Sequence, residues 1–256
     1  MRYRIAKHTN FYFNRVDRVI TPSEASHRWL RRHSVETPVD VIPTASPRPP
    51  LLDRAETRRS LNIPPEAKVM LYVGRLAEEK NLETLLDAAA LAFRADPALR
   101  LYLVGDGPHR PTLLAQVRRL GIGDRVRFAG FIPRDEVDRY YAASDLFFFA
   151  SITETQGLAV QEAMLHGLPA VAVTGGGVTE AIEDGVNGYL VHNDPRELAS
   201  AALDLLEDDE GHAAMSEAAR RASRAYGIPE MAERVERTYR LAIESRRGKE
   251  RLVSLR

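Results

Sequence analysis

The sequence predicts an α/β protein, a parallel sheet with helices on both faces, preceded by a remnant of a second α/β domain. Three observations predict it. From Val69 onward, short apolar runs rich in β-branched and aromatic residues alternate with amphipathic stretches, the pattern of repeated βαβ units. Those runs are apolar throughout rather than at every second position, as strands covered on both faces require. A segment with four prolines in eight residues, Pro43 to Pro50, separates this alternation from a shorter one before it and reads as a linker.

Residues 1–45 begin with a helix-like piece, Ile5 to Val16. There follow Arg18-Val-Ile-Thr-Pro-Ser23, a basic helix through Trp29 and the apolar run Val39-Asp-Val-Ile-Pro43. They read as the last units of a sheet whose earlier strands are missing. Residues 46–228 form the main domain, with strands expected at Val69–Val73, Leu101–Val104, Val126–Phe128, Leu146–Ala150, Ala170–Val173 and Tyr189–Val191. Helices are expected at Leu82–Phe93, Arg110–Leu120, Arg134–Ala143, Leu158–His166 and Val178–Glu183, then at Leu198–Leu206 and Gly211–Ser223. Residues 229–256 complete the chain as a helix and basic tail, with Met231, Val235, Tyr239 and Ala242 along one side.

Composition narrows the function classes. With 44% apolar residues the chain can build a core, and 36 basic against 36 acidic residues leave no global field for nucleic acid. The balance is uneven: residues 1–34 carry eight Lys/Arg against two acids, a local +6. That run is either a solvated helix face or a contact with anionic lipid. Cysteine is absent, which excludes disulfides and thiolate metal sites. No apolar run approaches the ~20 residues that span a bilayer, and the N-terminus lacks the apolar core of a signal peptide. A cytoplasmic protein, peripheral at the inner membrane face, is expected. There is no phosphate-loop motif, no H-E-x-x-H and no G-x-S-x-G.

The most informative stretch is Ser151-Ile-Thr-Glu154-Thr-Gln-Gly157-Leu158-Ala-Val-Gln-Glu162. It places Glu154 at the carboxyl end of a strand, where open α/β sheets hold their ligands. The amides around Gly157 and Leu158 are donors of a helix N-terminus, which favours negative charge. Glu162 lies about two turns on, roughly 12 Å along the axis. Two carboxylates flanking an anion site suit a long, polyhydroxylated, phosphate-bearing ligand. After the first main strand, Gly74-Arg75-Leu-Ala-Glu-Glu-Lys80-Asn81 offers one glycine and two cations, Arg75 able to bridge phosphate oxygens and Lys80 a mobile point charge. The turns at Gly105-Asp-Gly107 and Gly175-Gly-Gly177 read equally as anion nests or as tight strand–helix turns. Backbone groups at Phe131-Ile132 end the third strand, where a base edge could be met.

Taken in order, Val73-Gly-Arg75-Leu-x3-Lys80-Asn81, Leu103-Val-Gly-Asp-Gly-Pro108, Val126-x-Phe128-x-Gly130, Ser144-Asp145 and Glu154-x7-Glu162 resemble the retaining glycosyltransferases of family 4. The resemblance runs from about Phe13 to Tyr239 and implies the GT-B fold, with this main domain as its Rossmann-like, nucleotide-sugar-binding half. It implies that Arg75 and Lys80 hold the diphosphate, Glu162 the ribose hydroxyls, and Glu154 the donor sugar's hydroxyls beside the Gly157 and Leu158 amides. Glu154, Arg75 and Lys80 are then the catalytic candidates, with Gly74, Gly105, Phe131 and Ile132 completing the donor site. The family needs no metal or other cofactor. The wording Glu154-Thr-Gln-Gly157 is most similar to the branch that glucosylates diacylglycerol, which implies a UDP-linked hexose donor, a lipid acceptor and a peripheral membrane contact. A complete member carries a whole N-terminal acceptor domain with a catalytic histidine, and here only its last strands are found. Ala45 also replaces the glycine that usually follows the linker strand. The expected partners are therefore a nucleotide diphosphate sugar and either the missing domain or a second copy of the chain. A binding module that takes up the nucleotide sugar without transferring it remains the alternative, and a dinucleotide oxidoreductase a distant third.

Overall fold

The computed structural model describes residues 10–254, with side chains to residue 247. Two compact units form, one from Arg48 to Arg224 and the other from the residues up to Pro47 together with those from Ala225 onward.

The larger unit is a six-stranded parallel sheet in the order β5-β4-β3-β6-β7-β8. Its strands are β3 (Lys68–Val73), β4 (Leu99–Val104), β5 (Val126–Gly130), β6 (Leu146–Phe149), β7 (Ala170–Val173) and β8 (Gly188–Val191). Val69 to Tyr72 and Leu146 to Ala150 are fully or almost fully buried, because helices lie over both faces of the sheet. The helix α3 (Leu82–Ala95) shows why these segments coil: Leu82, Leu85, Leu86, Ala89 and Phe93 recur at helical spacing and all face the core. The helices α4 (Arg110–Leu120), α5 (Arg134–Ala143), α6 (Leu158–Leu165), α7 (Val178–Ala181), α8 (Pro195–Glu207) and α9 (Asp209–Ser223) complete the layers. Asp194 caps α8 with Pro195 in its first turn, and Asp208 caps α9 by accepting from the Gly211 amide at 3.0 Å.

One helix here was not foreseen. The segment α2 (Arg54–Ser60) reads RAETRRS, which has no apolar stripe. Its start is fixed by Asp53, which accepts from the Glu56 amide at 2.7 Å. Its flank is held by Arg54 on Asp145 at 2.6 Å, and the same carboxylate accepts from the Val69 amide at 2.6 Å. Helix α7 is shorter than expected, ending at Ala181 rather than Glu183.

The smaller unit pairs β1 (Val19–Thr21) with β2 (Val39–Val41) in parallel, Val19 opposite Val39. Among the described residues no third strand joins them. The helix α1 (Glu24–Arg32) is capped by Ser23 and buries Leu30 against Val19 and Val35. Arg18 grips Asp40 with two hydrogen bonds of 2.7 and 2.9 Å, which hold that carboxyl below its ordinary range. The long helix α10 (Ile228–Ser254) belongs to this unit, and its Arg234 donates to the Val41 carbonyl at 2.5 Å. Residues 10–13 are helical; the part of the expected Ile5–Val16 helix before residue 10 lies outside the described residues.

Candidate nucleotide-sugar site

The sheet order fixes where a site can form. From β3 the chain moves outward to β4 and β5, then returns so that β6 lies on the other side of β3. The loops leaving β3 and β6 therefore diverge above neighbouring strands, and the crevice between their carboxyl ends is where such sheets take ligands. The two loops are tied together by Asn81. Its amide donates to the Ala150 carbonyl at 3.1 Å and to Asn193 at 2.8 Å, from a left-handed backbone (φ 55°) that asparagine tolerates. The hydroxyls of Ser151 and Thr153 both reach the Glu79 carbonyl at 3.4 Å. This tie brings the ammonium of Lys80 against the carboxylate of Glu154, with only 21% and 17% of their side chains exposed.

Arg75 stands apart from that pair. It is 65% exposed and engages Glu79 one turn on. Beneath it Tyr72 donates its hydroxyl to the Arg75 carbonyl at 3.1 Å. Burial, followed by the charges of Glu154 and Glu79, pushes the Tyr72 phenol well above its usual range, so it stays a donor. Gly74 and Gly105 contribute close approach rather than free amides: Gly74 N–H donates to the Val104 carbonyl at 2.9 Å and Gly105 N–H to the Gly130 carbonyl at 2.8 Å. Gly105 has φ 133°, and a Cβ there would lie 1.9 Å from the Gly74 carbonyl oxygen.

Helix α6 begins at Gly157, whose left-handed φ of 79° turns the chain into the helix. A Cβ at this position would come within 2.8 Å of Val178 Cγ2. The amides of Val160 and Gln161 return to the Gly157 carbonyl at 2.9 and 3.2 Å. Among the described residues no protein acceptor takes the Leu158 amide, as expected for a helix start. Glu154 precedes the helix in an irregular stretch, so the 12 Å axial spacing expected between the two carboxylates does not apply; only Glu162 is helical. Of the two readings of Gly175–Gly177, the hydrogen bonds favour the tight strand–helix turn. Gly175 N–H donates to Thr179 Oγ1 at 3.1 Å within its own turn, and Gly177 N–H braces the Glu154 loop by donating to the Glu154 carbonyl at 2.8 Å.

Glu162 has its own partners. Tyr141 donates its hydroxyl to Oε2 at 3.1 Å, and Arg134 lies 3.0 Å from Oε1. Burial raises the Glu162 carboxyl above the ordinary range, Arg134 and Tyr141 pull it back, and Asp138 adds to the rise. Burial likewise depresses the nearby His166 imidazole, which hydrogen-bonds Asp138 at 3.0 Å. Of the residues expected to meet a base, Phe131 is 78% exposed and Ile132 packs against the core.

The structure thus joins Lys80 to Glu154 directly and sets Glu162 in a second cluster on α6. Sequence reasoning missed Arg134 and Tyr141. Their signal was present: seven residues apart on one helix, they share a face, but an arginine and a tyrosine there read as an ordinary amphipathic pattern. Among the described residues no group of three or more His, Asp or Glu could hold a metal ion, and no helix is long and apolar enough to cross a membrane. A cavity of about 590 Å³ lined by Arg18, His27, Asp40, Arg234 and Arg237 belongs to the smaller unit and shares no residue with these clusters.

Residues 53–222 match the family described as Glycosyl transferases group 1. The D-inositol 3-phosphate glycosyltransferase of Thermobispora bispora is 36% identical over 201 residues, covering 75% of this chain and 47% of that protein. The alpha-monoglucosyldiacylglycerol synthase of Streptococcus pneumoniae is 34% identical over 202 residues, covering 76% and 46%. The chain spans about half the length of the curated relatives it matches. The crystal structure of Anabaena Alr3699/HepE in complex with UDP-glucose superposes with a TM-score of 0.85 at 28% identity, covering 93% of this chain and 68% of that one. On that family match and those relatives, the chain belongs to the group 1 glycosyltransferases.

Proposed function

We propose that the crevice between β3 and β6 binds a nucleoside diphosphate sugar, a UDP-linked hexose, and that the chain carries the donor site of a retaining hexosyltransferase. The observation that carries this reading is the meeting of Lys80 and Glu154, from two different strand-end loops, beside the start of α6. Negative charge gathers on a departing diphosphate, and a cation and unpaired helix amides are placed to stabilise it. Lys80 and Arg75 take the diphosphate in place of a metal. Glu154 accepts from the sugar's hydroxyls and Glu162 from those of the ribose, since an ionised carboxylate is acceptor-only. The backbone at Phe131 and Ile132 meets the base. Calorimetry with UDP and UDP-glucose tests the reading, and a wild-type chain that binds neither removes it. Arg75→Ala is expected to weaken both by about tenfold, a charge-assisted contact discounted for its exposure. Unchanged affinity would take Arg75 out of the site.

The acceptor in this reading is a diacylglycerol-type lipid. Support comes from the name of the pneumococcal relative and from α1, where Arg28, Trp29, Arg31 and Arg32 are all exposed on one nine-residue helix. Such a basic, aromatic surface suits anionic headgroups at the inner membrane face, where the enzyme would act from the cytoplasm. A binding module without transferase activity is the second reading, favoured by the two three-residue strands of the smaller unit. Transfer needs an acceptor hydroxyl held in near-attack geometry. Little transfer by the chain alone is therefore expected. Self-association is expected as well, because among the described residues β1 and β2 pair only with each other, and open strand edges invite another chain. Light scattering and a radiolabelled lipid-transfer assay, with and without an added N-terminal domain, read both outcomes. A monomer that glycosylates lipid unaided would overturn them.

A further inference from the structure

We infer that Tyr141 is a positioning residue for Glu162, a buried donor that fixes the carboxylate's orientation and keeps it ionised for the ligand's hydroxyls. The inference rests on the donor-site reading for its purpose, but its physical content concerns the unliganded protein. Glu162 is held from two sides by different kinds of partner. Arg134 approaches Oε1 from a side chain that is 55% exposed, so water and salt screen it and a ligand can displace it. Tyr141 approaches Oε2 from inside the core, where its ring is almost wholly buried.

The ring has little freedom to leave. It stacks on His166 with centroids 5.1 Å apart and tilts on Phe147 at 5.9 Å. His166 is in turn fixed by Asp138 at 3.0 Å. The phenol has one proton to give, and two acceptors lie near it: the Ala159 carbonyl at 3.4 Å and Glu162 Oε2 at 3.1 Å. The carboxylate is both closer and charged, so it takes the proton. Burial keeps the phenol protonated, as the upward shift of Tyr141 reflects. A carboxylate accepting this bond is stabilised in its ionised form, against the same burial that disfavours its charge. The other ionisable groups acting on it are Arg134 and Asp138 from α5; His166, which bonds Asp138, is driven by burial toward its neutral form.

Tyr141→Phe removes the donor and keeps the ring. The direct measurement is the pH titration of the Glu162 side-chain carbon by NMR in the ligand-free protein, with thermal melting to establish that the variant is folded. The Glu162 midpoint is expected to move to higher pH, and a midpoint that stays put or falls overturns the inference whether or not any nucleotide binds. Calorimetry with UDP supplies the second readout. Affinity at a pH near the Glu162 midpoint that the titration reads is expected to fall about tenfold, the lower end for a hydrogen bond to a charged group, and to recover in part as pH rises. In a Glu162→Gln background the same substitution should cost little further. A purely structural role for Tyr141 would instead weaken binding equally in both backgrounds with no change in the pH profile. If the wild type binds no UDP while the titration moves as stated, the donor-site reading fails and the positioning role stands.

Discussion

Lys80→Ala is expected to weaken UDP-glucose binding about a hundredfold and to lower the melting temperature of the unliganded protein by a few degrees. The two effects have separate causes. Lys80 and Glu154 form a mostly covered pair, so alanine strands a carboxylate that is only 17% exposed. Breaking a fully buried pair costs about 3–5 kcal/mol, and the residual exposure here reduces that to roughly 1–2 kcal/mol. For a unit of this size such a loss corresponds to about 2–8 °C. On the proposed placement of the diphosphate, affinity falls further because a charge-assisted contact worth about 1.5–3 kcal/mol is lost. A Lys80→Ala, Glu154→Gln double variant should regain most of the stability and none of the affinity. Calorimetry and thermal melts on the four proteins of the cycle separate the terms. A Lys80→Ala protein that binds UDP-glucose as well as wild type would refute the placement of the diphosphate at this crevice.

Much of the fold and of the candidate site's placement was legible in the sequence, for reasons visible in particular residues. Val69–Val73 of β3 and the whole of β6 and β7 are apolar without interruption and almost entirely buried, so length and β-branched or aromatic content identified them. Glu154 and Lys80 were legible as candidates because the loops that leave such strands gather at the carboxyl edge of the sheet. Helix α2 was not, since RAETRRS carries no apolar stripe and is held by ion pairs to Asp145, far along the chain. The partners of Glu162 were hidden for a similar reason. A tyrosine on the buried side of an amphipathic helix looks the same whether its hydroxyl meets water, a carbonyl or a carboxylate. Only the packing of α5 against α6 makes that choice. The glycines divided in the same way: Gly157 was read correctly as a helix start, whereas the amides of Gly175 and Gly177 proved to be taken by Thr179 and the Glu154 carbonyl.

Glu162→Gln is expected to weaken UDP and UDP-glucose alike, by up to about a hundredfold, whereas Glu154→Gln should spare UDP and weaken UDP-glucose selectively. Glu154 is paired to a cation in a strand-end loop, where a sugar joined to the diphosphate would lie. Glu162 sits on α6 with an arginine and a buried tyrosine as partners, away from that cation. The hundredfold ceiling follows from exchanging a carboxylate for a neutral acceptor at a hydroxyl, a charged hydrogen bond of about 1.5–3 kcal/mol. The same residue sets a pH dependence whose two signs are opposed. Its folded carboxyl titrates above the ordinary range because of burial, so between the ordinary and the raised values the folded state holds a proton that the unfolded chain has lost. Its contribution to stability is therefore fully present below the ordinary value and is lost as pH rises through the raised one. On the proposed role of Glu162 affinity runs the other way, since the ionised form is the better acceptor for ribose hydroxyls, and it should rise across the same window. Glu162→Gln removes both slopes at once, while Glu154→Gln leaves them in place. Calorimetric titrations with the two ligands across mildly acidic to neutral pH, beside melts in the same buffers, read all four quantities. Equal losses for both ligands in both variants would mean that the two carboxylates do not address different ends of the donor.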